Sequence, residues 1–284
     1  PALIMAATGA SVTYAQLEAR ANCGAHALRN LGLKNGDALA IVCDNRLDFF
    51  DIYWAAQRAG LVLVLLSARL KIDEIAYIVN DSGVEAVLIS DAMVDTARDV
   101  LANCTAMPRL KAIVTIGPVD ALPDWNALCA AQPNTPIAYE QIGGRMVYSS
   151  GTTGRPKGLK FASATGSPVQ TNMAATMFGK HYNFDADTVY LSPAPLYHSA
   201  PMGITAAMQS IGATAVVMDK FDPEEFLKAV ERYKVTAVMV VPTMFIRLLG
   251  LPDEVRRRYD LSSLKTVIHA AAPCPVTVKH AMIE

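Results

Sequence analysis

The chain has 284 residues, 52% of them hydrophobic and 18% charged, with a formal net charge of −1. That length holds one large domain or two smaller ones, and near-neutrality without a basic stripe excludes the electrostatic footprint of a nucleic-acid binder. The longest apolar run, 59–66 with Gly60 inside it, falls well short of the roughly 20 residues a membrane span requires.

The start, PALIMAATGAS, has neither a basic n-region nor an initiator Met, so it reads as a chain whose first residues lie upstream and not as a signal peptide. Five cysteines (Cys23, Cys43, Cys104, Cys129, Cys274) are scattered without a CxxC pair. An odd count at such spacing predicts buried reduced thiols in a cytoplasmic protein, and neither a disulfide framework nor a zinc site. His26 and His280 sit in helical patterns with no second ligand nearby, and no metal ligand is assigned.

A helix opens the regular structure. Thr13 is a suitable N-cap, Gln16 completes a capping box, and Leu17, Ala21, Ala25, Leu28 and Leu31 follow at helical spacing until Gly32. After a turn at 34–37 comes a strand over 38–43. The pattern then repeats: helix 46–59, strand 61–66, helix 72–80, strand 86–89, helix 92–103, strand 110–116. Residues 118–136 are less regular, with a short helix around Trp125. Strand 145–149 leads into a glycine-rich segment. Beyond it follow a helix near 168–179, strand 188–192, helix 202–210, strand 213–218, helix 223–233, strand 235–241, a helix after Pro242, strand 265–269 and a last helix after Pro275. Short apolar strands alternating with amphipathic helices imply an α/β fold, with layered parallel sheets flanked by helices. No repeat of fixed period and no low-complexity tract interrupts it.

The chemistry concentrates at 148–158, YSSGTTGRPKG. The segment follows an apolar strand, where an α/β fold carries its ligand loops. Gly151, Gly154 and Gly158 let the backbone bend and approach a ligand. Ser149, Ser150, Thr152 and Thr153 offer hydroxyl donors, and Lys157 offers a mobile charge. Together they make a phosphate cradle. Polar loops between a strand and a helix are common, but they rarely pack this set into so few residues. The P-loop pattern needs Gly-Lys followed by Ser or Thr, and here Pro156 precedes and Gly158 follows Lys157. The dinucleotide GxGxxG and the kinase loop fail as well, because no glycine lies between Gly151 and Gly154.

The segment resembles the [ST]-S-G-[ST]-T-G-x-P-K-G signature of the adenylate-forming superfamily, which includes acyl-CoA synthetases, luciferases and the adenylation domains of peptide synthetases. Other segments carry the same resemblance: VTYAQLEARANCGAHALRNLGLKNGDALAIVCDN, LKIDEIAYIVNDSGVEAVLIS, PLYHSAP at 195–201 and HAAAPCP at 269–275. The nearest subgroup is the AMP-dependent acyl-CoA synthetases of fatty-acid or bile-acid type. Two departures stand out. Residues 161–167, FASATGS, lack the Thr-His-Arg/Asn-like stretch of many relatives. Alanine also stands at 270 and 271, where the family usually has glycine, so the backbone is less free there.

The resemblance implies an N-terminal adenylation domain over 1–284, ending before a β-barrel and a C-terminal domain, with lobes 61–184 and 1–60 plus 185–284. It implies ATP, Mg2+ and coenzyme A, and a reaction in which a carboxylate attacks the α-phosphate and CoA thiol then displaces AMP. Ser149, Ser150, Gly151, Thr152, Thr153, Gly154 and Lys157 would hold the phosphates. His198, the second catalytic candidate with Lys157, would line the carboxylate–phosphate junction. Ala271, Ala272 and Pro273 would touch adenine. The magnesium-holding Glu, the ribose-binding Asp and the C-terminal Lys would fall beyond Glu284, so this stretch alone is expected to be inactive and to expose apolar surface. A homodimer is left open.

Amino-acid activators usually carry an Asp after the PLYH-like segment, and 198–204 holds none, which favours an apolar acid over an amino acid. An aryl- or amino-acid adenylation domain and a non-catalytic nucleotide-binding paralogue are the alternatives. Met202, Met239, Met244 and Phe245 are candidates for the acyl pocket, with plain core packing the competing role for each.

Overall fold

A computed structural model describes residues 1–149, 156–161 and 173–284, with the side chains of Ser149, Phe161, Met173 and Ala174 outside the description. The first half runs β1 (Leu3–Met5), β2 (Ser11–Val12), α1 (Tyr14–Asn30), β3 (Ala38–Val42), α2 (Asp48–Arg58), β4 (Val62–Leu66), α3 (Ile72–Ser82), β5 (Val84–Ser90), α4 (Val94–Ala102), β6 (Ala112–Ile116) and α5 (Trp125–Ala130). The second half adds β7 (Gly144–Ser149), β8 (Lys157–Phe161), α6 (Met173–Tyr182), β9 (Val189–Ser192), α7 (Ser199–Ser210), β10 (Thr214–Val217) and α8 (Pro223–Tyr233). It closes with β11 (Ala237–Val240), α9 (Pro242–Leu249), α10 (Asp253–Arg256), β12 (Thr266–His269) and α11 (Val276–Ile283).

Local chemistry sets several of these boundaries. Gln16 N–H donates to the Thr13 hydroxyl at 3.2 Å and Thr13 N–H donates back to Gln16 Oε1 at 2.9 Å, the reciprocal cap expected from sequence. Asp222 accepts from Glu224 N and Glu225 N at 3.0 Å each, and Pro223 starts α8 where its missing N–H costs nothing.

Two six-stranded sheets result, ordered β12-β11-β9-β10-β1-β2 and β6-β5-β3-β4-β7-β8. Pairing is parallel except at one edge of each, where β2 runs antiparallel to β1 and β8 antiparallel to β7. Those two pairs depart from the all-parallel expectation. Each joins neighbours in the chain, which need no crossover helix to pair antiparallel. The lobes expected from sequence also part company with the sheets at β3. That strand pairs with β4 along its whole length, from Ala38↔Val62 to Val42↔Leu66, so it shares a sheet with 62–66 and not with the strands of 1–12.

Alternation along the strands sorts the core into layers. In β3, Leu39 and Ile41 face an apolar cluster shared with Leu3, Val217 and helices α1, α2 and α7, while Ala38, Ala40 and Val42 face a second cluster under α3 and α4. A third cluster lies between α8, α9 and the far face of the β9 sheet. Helices α1 and α2 are thus sandwiched between the sheets. Gly24 of α1 serves that packing, since a Cβ there would sit 2.7 Å from Ala55 of α2.

The cysteines are free, but only Cys43 is buried; the other four are partly exposed, contrary to expectation. Among the described residues no helix is long and apolar enough to cross a membrane.

Candidate active site

Parallel strands direct their following loops to one end of a sheet, where ligand sites form. In the β3 sheet those loops are 43–47 after β3, 67–71 after β4, 91–93 after β5 and the glycine-rich segment after β7. In the β9 sheet they are 193–198 after β9, 218–222 after β10 and 270–275 after β12. The two sets meet. Asn45, after β3, bonds to Ala194, Leu196 and Met218 of the other sheet.

Ser150, Gly151, Thr152, Thr153 and Gly154 lie outside the described residues. What brackets them is described. Ser149 ends β7 and Lys157 begins β8, and the two are register partners, so the segment joins two antiparallel strands. Lys157 is exposed. Tyr77 of α3 donates its hydroxyl to Pro156 O at 3.3 Å, and Tyr148 donates to Asp81 Oδ2 at 2.6 Å. Burial first and the Asp81 carboxylate second push the Tyr148 phenol well above its usual range, which keeps it a donor. Gly158, read from sequence as a flexible position, lies in strand β8. A Cβ there would fall 2.2 Å from Met146 Cε and 2.9 Å from the Tyr148 ring, so its small size serves strand packing.

His198 is the N-cap residue of α7. Its N–H donates to Pro195 O at 3.2 Å and its carbonyl accepts from Met202 N at 3.2 Å. Pro201 falls in the first turn, where a missing N–H is harmless. The His198 ring is exposed on one side, with the Tyr197 ring centroid 4.5 Å away. Desolvation, and then the positive charge of Arg69, hold its pKa below the ordinary value, which favours the neutral ring. A neutral imidazole can both donate and accept a hydrogen bond. Further along α7, a Cβ on Gly203 would fall 2.7 Å from Arg145 Nη1, so the Arg145 side chain reaches from the strand before the glycine-rich segment to the helix that His198 caps.

Ala271, Ala272 and Pro273 form an exposed turn after β12. Its entry is tied to the sheet by Ala270 N–H donating to Val240 O at 3.2 Å. Ala271 adopts φ +70°, a left-handed conformation that alanine takes at a cost, so the missing glycine is felt at this position. The turn follows β12 and the His198 segment follows β9, strands that lie two places apart in one sheet, roughly 10 Å at strand spacing.

Met202, Met239, Met244 and Phe245 are all buried, and they belong to three different core clusters. Packing accounts for them. Among the described residues no three His, Cys, Asp or Glu side chains group as metal ligands. Sequence reasoning missed Arg69 and Asn45. Both follow parallel strands, which was a usable signal, but their residue types are ordinary in loops.

The AMP-binding enzyme family profile matches residues 1–284. The chain is 31% identical over 268 residues to a feruloyl-CoA synthase from Amycolatopsis sp, covering 94% of this chain and 50% of that protein. It is 32% identical over 271 residues to a medium/long-chain fatty-acid–CoA ligase from Mycobacterium tuberculosis, covering 92% of this chain and 46% of that one. The chain therefore spans about half the length of these relatives. In fold it is similar to the crystal structure of the N-terminal domain of FACL13 from Mycobacterium tuberculosis, with a TM-score of 0.85 at 22% identity, covering 99% of this chain and 68% of that one.

Proposed function

The chain belongs to the AMP-binding enzyme family, and from that premise we propose that it supplies the nucleotide- and carboxylate-facing part of an ATP-dependent acid–thiol ligase. A carboxylate oxygen attacks the α-phosphorus of ATP, giving an acyl-adenylate and releasing pyrophosphate. The thiol of coenzyme A then attacks the acyl carbonyl, and AMP leaves with the bonding pair. Both partners of the first step are anions, so cations and fixed donors must offset their repulsion.

The observation that carries the reading is the junction of loops from the two sheets. Lys157 begins the strand after the phosphate segment, and Arg69 stands near a neutral His198 at the start of α7. In this assignment Ser149, Ser150, Gly151, Thr152, Thr153, Gly154 and Lys157 hold phosphate oxygens. His198 orients the attacking carboxylate, and Ala271, Ala272 and Pro273 lie against adenine. No acidic set for magnesium is grouped among the described residues, so no step is assigned to it. The relatives named for ferulic and for fatty acids support an apolar alkyl or aryl acid, and the lack of an acidic residue over 198–204 argues against an amino acid. Free thiols support a reducing, cytoplasmic setting. We also propose two lobes cored by the two sheets, with β3 in the lobe of β4.

The test is ATP–pyrophosphate exchange by the full-length protein with straight-chain, hydroxycinnamic, bile and amino acids, followed by CoA consumption. Exchange with one of the apolar classes and not with amino acids is expected. Tight ATP binding with no exchange for any acid would establish a non-catalytic nucleotide-binding protein instead.

A further inference from the structure

Asn45 is 7% exposed. Its carboxamide Nδ2 donates to Met218 O at 2.7 Å and to Ala194 O at 3.1 Å, and its Oδ1 accepts from Leu196 N at 2.8 Å. Both amide hydrogens are used, and so is the oxygen. The residue stands on the loop after β3, in one sheet. All three partners stand on loops after β9 and β10, in the other.

The loop that carries Asn45 is itself braced. Arg46 donates to Asp48 Oδ2 at 3.1 Å, to Ser90 Oγ at 2.9 Å and to Asp91 Oδ1 at 2.8 Å, while Ser90 Oγ donates to Asp44 Oδ1 at 2.6 Å. These bonds tie 44–48 to the end of β5, within its own sheet. On the far side, Leu196 is fully buried, Pro195 has a restricted φ, and the Pro195 carbonyl receives the His198 N–H. A fixed base and a stiff segment of four residues therefore join Asn45 to the start of α7.

We propose that Asn45 is a positioning residue for His198: its carboxamide holds the 194–198 segment from the opposing sheet and so sets where the imidazole stands between the two sets of loops. The proposal rests on the ligase reading for its effect on catalysis, but not for its effect on the histidine.

The residue type follows from the partners. Two carbonyl oxygens and one N–H converge on a single side chain. Aspartate would set a carboxylate against both carbonyls, leucine would leave all three groups unpaired, and glutamine would add a methylene to a buried, filled site. A site placed 1 Å off can lose about a hundredfold in rate while substrate binding elsewhere persists.

Asn45→Leu and the smaller, polar Asn45→Ser, made in the full-length protein, test this against Thr205→Val, a buried hydroxyl lost from α7 that bonds only within its own helix. Two readouts are needed: kcat and KM for ATP in pyrophosphate exchange, and the His198 imidazole titration by NMR, assigned with His198→Gln. The expected result for Asn45→Leu is a fall in kcat of tenfold or more with KM for ATP changed less than threefold. The His198 titration should move toward its ordinary range, as the ring leaves its packed seat. Thr205→Val should do neither. If Asn45→Leu does not fold, Asn45→Ser carries the same comparison with a smaller fall. Unchanged kcat together with an unchanged His198 titration in a folded Asn45 variant overturns the proposal. So does a matching change in Thr205→Val, which would mark a general loss of packing. If the wild type exchanges with no acid, the ligase reading falls, and the His198 titration still decides whether Asn45 positions the ring.

Discussion

The sheets centred on β3 and on β9 each hold six strands with one antiparallel pair at an edge, yet they are covered differently. In the first, β3, β4 and β5 are buried at every residue, with α1 and α2 on one face and α3 and α4 on the other. In the second, edge strand β12 has no buried residue, and α11 beside it has none either. Val267, Val276 and Ile283 are 45%, 70% and 74% exposed there. The difference teaches where a strand's stability comes from. A residue covered on its own face gains from transfer out of water and from close packing, whereas the same residue type on an open edge gains little beyond its ladder. The adenine-facing turn proposed at 271–273 hangs from the open edge, and the His198 segment is clamped near the covered sheet.

The largest test of this contrast is a pair of truncations. Leu63 of β4 is fully buried, and Leu63→Ala should cost about 3 kcal/mol of unfolding free energy. Val267→Ala on β12 should stay within about 0.5 kcal/mol. Urea unfolding of both variants measures this, and equal losses would erase the distinction between the sheets.

A smaller effect is expected at the turn. Ala271 holds φ +70°, and Ala271→Gly removes that strain at the expense of a more flexible unfolded chain. A net gain of about 0.5 kcal/mol should raise the unfolding midpoint. A lowered midpoint would mean that alanine is not strained there.

The smallest effect concerns the charge of Arg69 near His198. Burial and then Arg69 hold the His198 pKa below its ordinary value of 6.5. Within the window below 6.5 the unfolded chain binds the proton that the folded ring refuses, so stability falls as pH is lowered through that window. Above it this group contributes no slope. Arg69→Gln should raise the His198 pKa toward 6.5 without reaching it, because the burial cause remains, and should narrow the window. Both groups are exposed, so added salt should produce part of the same shift in the wild type. NMR titration in low and high salt reads both, and an unmoved pKa in Arg69→Gln would remove Arg69 from the site.

Most helices were legible because their signals are local. Thr13 with Gln16, and Asp222 with Pro223, mark N-termini within four residues, and α8 begins and ends where the sequence places it. Strands β3 to β5 were legible because burial on both faces writes continuous apolar runs. Strands β1 and β2 were missed. They are three and two residues long, and β1 exists by pairing with β10 more than two hundred residues away. Strand β8 was missed because Lys157 and Gly158 read as part of a phosphate loop. The short α10 carries no buried residue and left no periodic pattern.

The residues of 148–158 by themselves carried the expectation of a phosphate cradle, since hydroxyls, glycines and a lysine lie within a few bonds of one another. Local periodicity likewise determined the alternation of strands and helices. Only the tertiary structure decided that β3 joins β4, that His198 feels the charge of Arg69, and that Asn45 closes three hydrogen bonds with residues about 150 or more positions away. An asparagine has four hydrogen-bonding sites in any loop. Which partners saturate them depends on what the packing of two sheets brings within 3 Å, and no pattern in the neighbouring residues encodes that.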